Sequence, residues 1–124
     1  MNWTAIGAVL MALAVGMGAF GAHGLRNRLD AYSMSVYEKA VFYHFIHALG
    51  ILLIALLART NAISLPGQTR VAGLLLIGIV MFSGSLYALA LSGARILGAI
   101  TPIGGIAFIA GWLLLVYEAV RASR

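Results

Sequence analysis

Charge disappears from this chain in four long runs. Residues 2–22 carry no Asp, Glu, Lys or Arg, and neither do residues 40–58, 71–94 or 96–117. Each run is close to the roughly 20 apolar residues that one helix needs to cross the hydrocarbon core of a bilayer. The pattern predicts four membrane-spanning helices, at about 3–22, 39–58, 71–92 and 102–120. Small residues recur at helical spacing inside these spans. Ala14, Gly18 and Ala22 repeat every four residues in the first, as do Ala12 and Gly16, and Gly84, Ala88 and Ser92 do so in the third. Gly104, Gly105, Ala107 and Gly111 open the fourth. Such stripes let neighbouring backbones approach closely, so tight packing is the ordinary reading and a cavity or moving interface the other.

The connections carry their own signals. Leu25, Leu29 and Tyr32 share one helical face, and Arg26 and Asp30 pair at i, i+4, which predicts a short helix lying in the membrane interface. Ser35 followed by Glu38 is a capping-box signature and places the start of helix 2 near residue 36. Asn61 and Leu65-Pro66-Gly67 mark a turn, and Thr101-Pro102 reads as an N-cap followed by proline at the first helical position. Trp3 suits the interface, Glu118 and Arg121 are spaced to pair, and Ser83 and Ser85 are expected to bond back to carbonyls of their own helix.

Composition sharpens the solvent argument. Hydrophobic residues make up 63% of the 124-residue chain and charged residues 9%; soluble domains carry about 25% charged residues. The expected fold is an all-α membrane protein, a four-transmembrane-helix bundle with a short interfacial helix between helices 1 and 2, as one domain over 1–124. The first run has no basic residue before it and exceeds the roughly 7–15 residues of a cleavable signal, so it is expected to remain a span. The net charge of +5 is not a nucleic-acid footprint, because the basic residues sit singly at helix ends where they meet water and lipid phosphates. The chain has no cysteine, which removes disulfides and thiolate metal sites. Arg59, Arg70, Arg121 and Arg124 fall on the side of the termini and Arg26, Arg28, Lys39 and Arg95 on the other, a tie under the positive-inside rule. The free amino terminus leans toward cytoplasmic termini.

The stretch 16–50 concentrates what chemistry there is. It holds all three histidines, His23, His44 and His47, with Asp30, Glu38 and Tyr43. The first three spans alternate direction, so His23, the two histidines of helix 2 and Tyr87 are expected near one interface, around a small cavity between His23, His44 and Tyr87. Three imidazoles there can bind a metal or haem, relay protons, or simply hydrogen-bond to backbone and tyrosine, the last being the ordinary case. The HxxH spacing lacks the glutamate of a zinc protease, and no nucleophile–base–acid order or phosphate loop is present. Residues 1–29 contain no acid, so the simplest proton-coupled export chemistry is missing.

The segments GAFGAHGL at 18–25, YHFIHALG at 43–50, FSGSLY at 82–87, LGAITPIGG at 97–105 and GW at 111–112 together resemble the YgdD/YwdK-type family of small four-span membrane proteins. That family is also catalogued as domain of unknown function 423, and animal transmembrane protein 256 looks related. The resemblance covers essentially the whole chain. It implies an integral membrane protein, in bacteria of the inner membrane, and supplies no activity. The family motifs fall on His23, His47, Gly84, Tyr87, Thr101, Pro102, Gly104 and Gly105. The resulting expectation is an accessory protein without cofactor. It self-associates or joins a membrane partner, and binds a lipid or other small hydrophobic ligand through His23, His44, His47, Tyr43, Tyr87, Asp30 and Glu38. The alternatives are a small transporter or channel using the histidines, or a metal- or haem-binding membrane subunit.

Overall fold

A computed structural model describes all 124 residues. Four helices are long and apolar enough to cross a membrane: α1 (Trp3–Leu25), α2 (Ala31–Arg59), α3 (Leu65–Ser92) and α4 (Arg95–Ala122). Each contains its expected span, and there is no strand. α2 and α3 pack against each other at the centre. α1 lies on α2, and α4 lies on α3. Side chains of α4 also reach α2, and α1 and α4 are the least buried of the four.

Side-chain caps set the starts. Asn2 Oδ1 accepts from the Ala5 N–H at 3.0 Å and Ser64 Oγ from the Gly67 N–H at 3.0 Å. Each satisfies a donor that the first helical turn leaves free. α3 ends at Gly93, whose φ of 73° is a left-handed conformation that glycine adopts without a Cβ penalty.

The first connection differs from its expectation. There is no separate interfacial helix and the Ser35–Glu38 capping box does not form. α1 runs on through a π turn at Gly21–Leu25, and Asp30, not Ser35, caps α2: its Oδ1 accepts from the Ser33 N–H at 2.7 Å. Ser35 Oγ instead donates to the Tyr32 carbonyl. The two helices consume the stretch from both ends and leave residues 26–29 for the reversal. Leu25, the first residue of the expected amphipathic face, is buried inside the bundle, whereas Tyr32 is exposed.

Other polar expectations also move inward. Trp3, the first residue of α1, is buried with Ile51, Ala58 and Ile63 because α1 starts against α2 and the α2–α3 turn, and its Nε1, expected to stay wet, is buried with no hydrogen-bond partner. Thr101 does not cap α4. A 3-10 turn at Arg95–Ala99 precedes it, and its hydroxyl bonds Ser85 of α3 at 2.6 Å. Ser85 also donates back to the Phe82 carbonyl of its own helix at 3.0 Å, as expected, whereas Ser83 bonds across helices, donating to the Ala40 carbonyl of α2 at 2.9 Å. Glu118 is buried and pairs with Arg70 of α3 at 2.5 Å instead of with Arg121.

Glycines permit these contacts. A Cβ at Gly104 would collide with the backbone of Phe82, so α4 and α3 can approach there only without a side chain. Gly21 leaves the same kind of room for the Tyr37 ring.

Candidate functional site

The central polar group is built on α2. His44 lies 13 residues past Ala31, about 20 Å along a helix that is about 43 Å long at 1.5 Å per residue. It therefore sits near the middle of the helix. α2 starts at Ala31, several residues before the start near residue 36 that the capping-box reading gave, while the charge-free run that holds both histidines still begins at residue 40.

His47 is fully committed. Its Nδ1 donates to the Tyr43 carbonyl at 2.8 Å. A carbonyl only accepts, so Nδ1 carries the proton and Nε2 offers its lone pair to the Trp112 indole N–H of α4 at 3.0 Å. The ring stacks on Phe108 with centroids 3.5 Å apart, and the Tyr43 ring packs beside Phe82 and Phe108. His47 is thus a clasp joining α2 to α4 through one neutral tautomer.

His44 is half-committed. Nδ1 and the Tyr87 hydroxyl of α3 are 2.9 Å apart. Nε2 is buried with no partner. Tyr87 in turn meets the edge of Tyr37, whose hydroxyl donates to the Met17 carbonyl at 2.5 Å.

The remaining candidates lie elsewhere. His23 is exposed on the π turn of α1. Asp30 is the α2 cap, and the hydrogen bonds from Ser33 hold its carboxyl below the usual carboxylate value. Glu38 is exposed and lines a cleft of about 150 Å³ between α1 and α2, together with Arg26. The expected cavity between His23, His44 and Tyr87 is therefore absent. His44 and Tyr87 touch directly, and His23 is outside. No group of three His, Asp or Glu side chains converges on a point where a metal ion could be held. A wider apolar groove of about 450 Å³ runs along α2 beside Trp112 and is lined almost wholly by leucine and isoleucine.

Sequence reasoning missed Tyr37, Trp112 and the Arg70–Glu118 pair. Glu118 had a signal: an acid that ends an apolar run and is buried needs a cation, and Arg70 is the one that α3 brings to it. Gly67 stands where a Cβ would crowd the Glu118 carboxylate.

Comparison with known proteins identifies the chain's relatives. Residues 17–105 match the family described as "Protein of unknown function (DUF423)". The chain belongs to the DUF423 family. A UPF0382 membrane protein of Staphylococcus saprophyticus is 55% identical over 90% of this chain and 90% of its own length. A UPF0382 membrane protein of Staphylococcus haemolyticus is 52% identical over 94% and 93%. UPF0382 membrane protein YwdK of Bacillus subtilis is 48% identical over 94% of each chain. No solved structure matches. The DUF423 match spans the π turn of α1, both buried histidines, the serines of α3 and the start of α4. The His44–Tyr87, Ser83–Ala40 and Ser85–Thr101 contacts thus lie inside the matched part, whereas Phe108 and Trp112, the α4 partners of His47, lie beyond it.

Proposed function

We propose that this protein is a small accessory protein of the bacterial inner membrane, with both termini cytoplasmic. In this reading it associates with a second copy of itself and holds a lipid at the α1–α2 interface. The observation that carries the reading is the outward face of α1. Between Trp3 and Phe20 only Trp3, Gly7 and Ala14 are buried. Ala8, Ala12 and Gly16 line up every four residues on the exposed side, and nothing lies within 4 Å of where a Gly16 Cβ would be. A flat strip of backbone facing lipid gains van der Waals contact when a second helix covers it. The buried polar groups support an accessory role, because His47, Ser83 and Ser85 are used to join helices rather than to line a path.

The chain has no cysteine, so single cysteines report proximity without background. Ala12→Cys is expected to form a disulfide-linked dimer in native membranes, and Ile106→Cys, on the exposed face of α4, is not. Absence of the Ala12 cross-link, or equal cross-linking at both positions, would remove the self-association reading.

A further inference from the structure

The cleft between α1 and α2 holds two opposite charges that do not use each other. Arg26, just past the last residue of α1, and Glu38, on the second turn of α2, both line it. No ion pair joins them: the molecule's single ion pair is Arg70–Glu118, and neither Arg26 nor Glu38 makes a side-chain hydrogen bond within the protein. The neighbouring cleft, lined by Asp30 and Arg95, lacks this property, because Asp30 is spent on the α2 cap.

The walls are apolar or absent. Gly18 and Ala22 offer almost no side chain on the α1 side, and Met34 and Val41 line the α2 side. The π turn shapes this space, since the Tyr37 ring lies against Gly21 where a Cβ would collide. The Tyr37 hydroxyl is already bound to the Met17 carbonyl, so it does not compete for a ligand. Depth fits as well. Glu38 lies about 10 Å along α2 from Ala31, in a helix close to the roughly 40–45 Å of a bilayer with its headgroups. That is the level where phosphates give way to acyl chains.

We infer that this cleft binds a phospholipid whose headgroup carries both a phosphate and a primary ammonium. The guanidinium of Arg26 takes the phosphate, for which its planar fork is suited. The Glu38 carboxylate accepts from the ammonium. The glycine-lined gap receives the start of the acyl chains. The inference rests on the lipid-binding part of the proposed function and specifies its ligand.

The test uses the full chain purified in detergent. Phosphatidylethanolamine and phosphatidylglycerol of the same acyl composition are added in competition, and retained lipid is read by native mass spectrometry. The expected result is about tenfold preference for phosphatidylethanolamine, the worth of one charge-assisted contact. Glu38→Gln abolishes the preference while phosphatidylglycerol retention stays unchanged, and Arg26→Gln lowers retention of both lipids. Both side chains are exposed, so neither change threatens the fold, which elution volume and helical circular dichroism verify. Equal retention of the two lipids by the unmodified protein overturns the inference and leaves the lipid-binding reading standing. A preference that survives Glu38→Gln overturns the inference also. Retention of neither lipid overturns both.

Discussion

A buried imidazole in lipid has to place two nitrogens, and the two histidines of α2 do so unequally. His47 satisfies both, one on its own helix and one on Trp112 of α4. Trp112→Phe keeps most of the apolar volume but strands Nε2. It is expected to cost about 1–2 kcal/mol, at the upper side of what interhelical hydrogen bonds in membranes contribute. Unfolding in mixed detergent micelles measures this. Glu118 is the other exposed dependency. Its carboxylate is buried while Arg70 stays half-exposed at 50%. Arg70→Ala leaves a buried carboxylate without its cation and is expected to destabilise by about 2–3 kcal/mol, below the loss for a fully buried pair. Arg70→Met combined with Glu118→Leu is expected to lose less than Arg70→Ala alone, in the same unfolding measurement, because no charge is stranded.

At the scale of elements, the helices begin and approach where single residues allow it. Asp30 caps α2, and its carboxyl titrates below the ordinary value of 3.8 because Ser33 bonds to the charged form. A folded-state value that is depressed contributes stability above the unfolded value and loses it as pH falls through the folded one. The first turn of α2 is therefore expected to fray only below about pH 3.8, and Asp30→Ala to fray it at neutral pH, with Ser35→Ala silent. Amide hydrogen exchange at residues 31–34 reads both. Gly104 and Gly73 provide a matched pair on the two packed helices. A Cβ at Gly104 meets the Phe82 backbone, whereas one at Gly73 meets nothing within 4 Å. Gly104→Ala is expected to destabilise by about 2–3 kcal/mol, since backbone cannot step aside as a side chain can. Gly73→Ala is expected to be neutral or slightly stabilising, as alanine is the better helix former.

The whole molecule is a four-helix bundle with α2 and α3 at its centre. α2 and α3 are covered on both sides, and α1 and α4 on one. The outer faces differ in texture: α4 presents Ile103, Ile106, Ile109, Leu113 and Val116, while α1 presents Ala8, Ala12 and Gly16 beside Val9 and Leu13. Bulky side chains already fill their contacts with lipid, whereas the small strip leaves backbone for another helix to meet. Gly16→Leu is therefore expected to abolish the dimer in analytical ultracentrifugation without changing monomer stability, as no atom of the monomer is near the added side chain. Leu at Ile106, which substitutes one bulky residue for another, is expected to leave the dimer intact.

Four spans, their order and the absence of a water-facing surface were legible in the sequence, because each follows from local composition and the cost of burying charge in hydrocarbon. The turn at Asn61 and the glycine-rich approach of α4 were legible as backbone requirements written in single residues, whereas Leu65-Pro66-Gly67, read as part of that turn, is the first turn of α3, because Ser64 caps it and proline is accepted at a helix start. The start of α2 was not legible. Asp30 and Ser35 are both acceptable caps locally, and what separates them is how far α1 continues through its π turn, which depends on Tyr37 of α2 lying against Gly21. The same continuation of α1 leaves His23 exposed on the π turn, away from His44 and His47. Tertiary structure alone also chose partners: Arg70 for Glu118, Trp112 for His47, Tyr87 for His44 and Thr101 for Ser85. A hydrophobic span can be read from its own residues, because its solvent is the same along its whole length. A buried polar group's partner lies on another helix, and only the packing of the helices determines which one it meets.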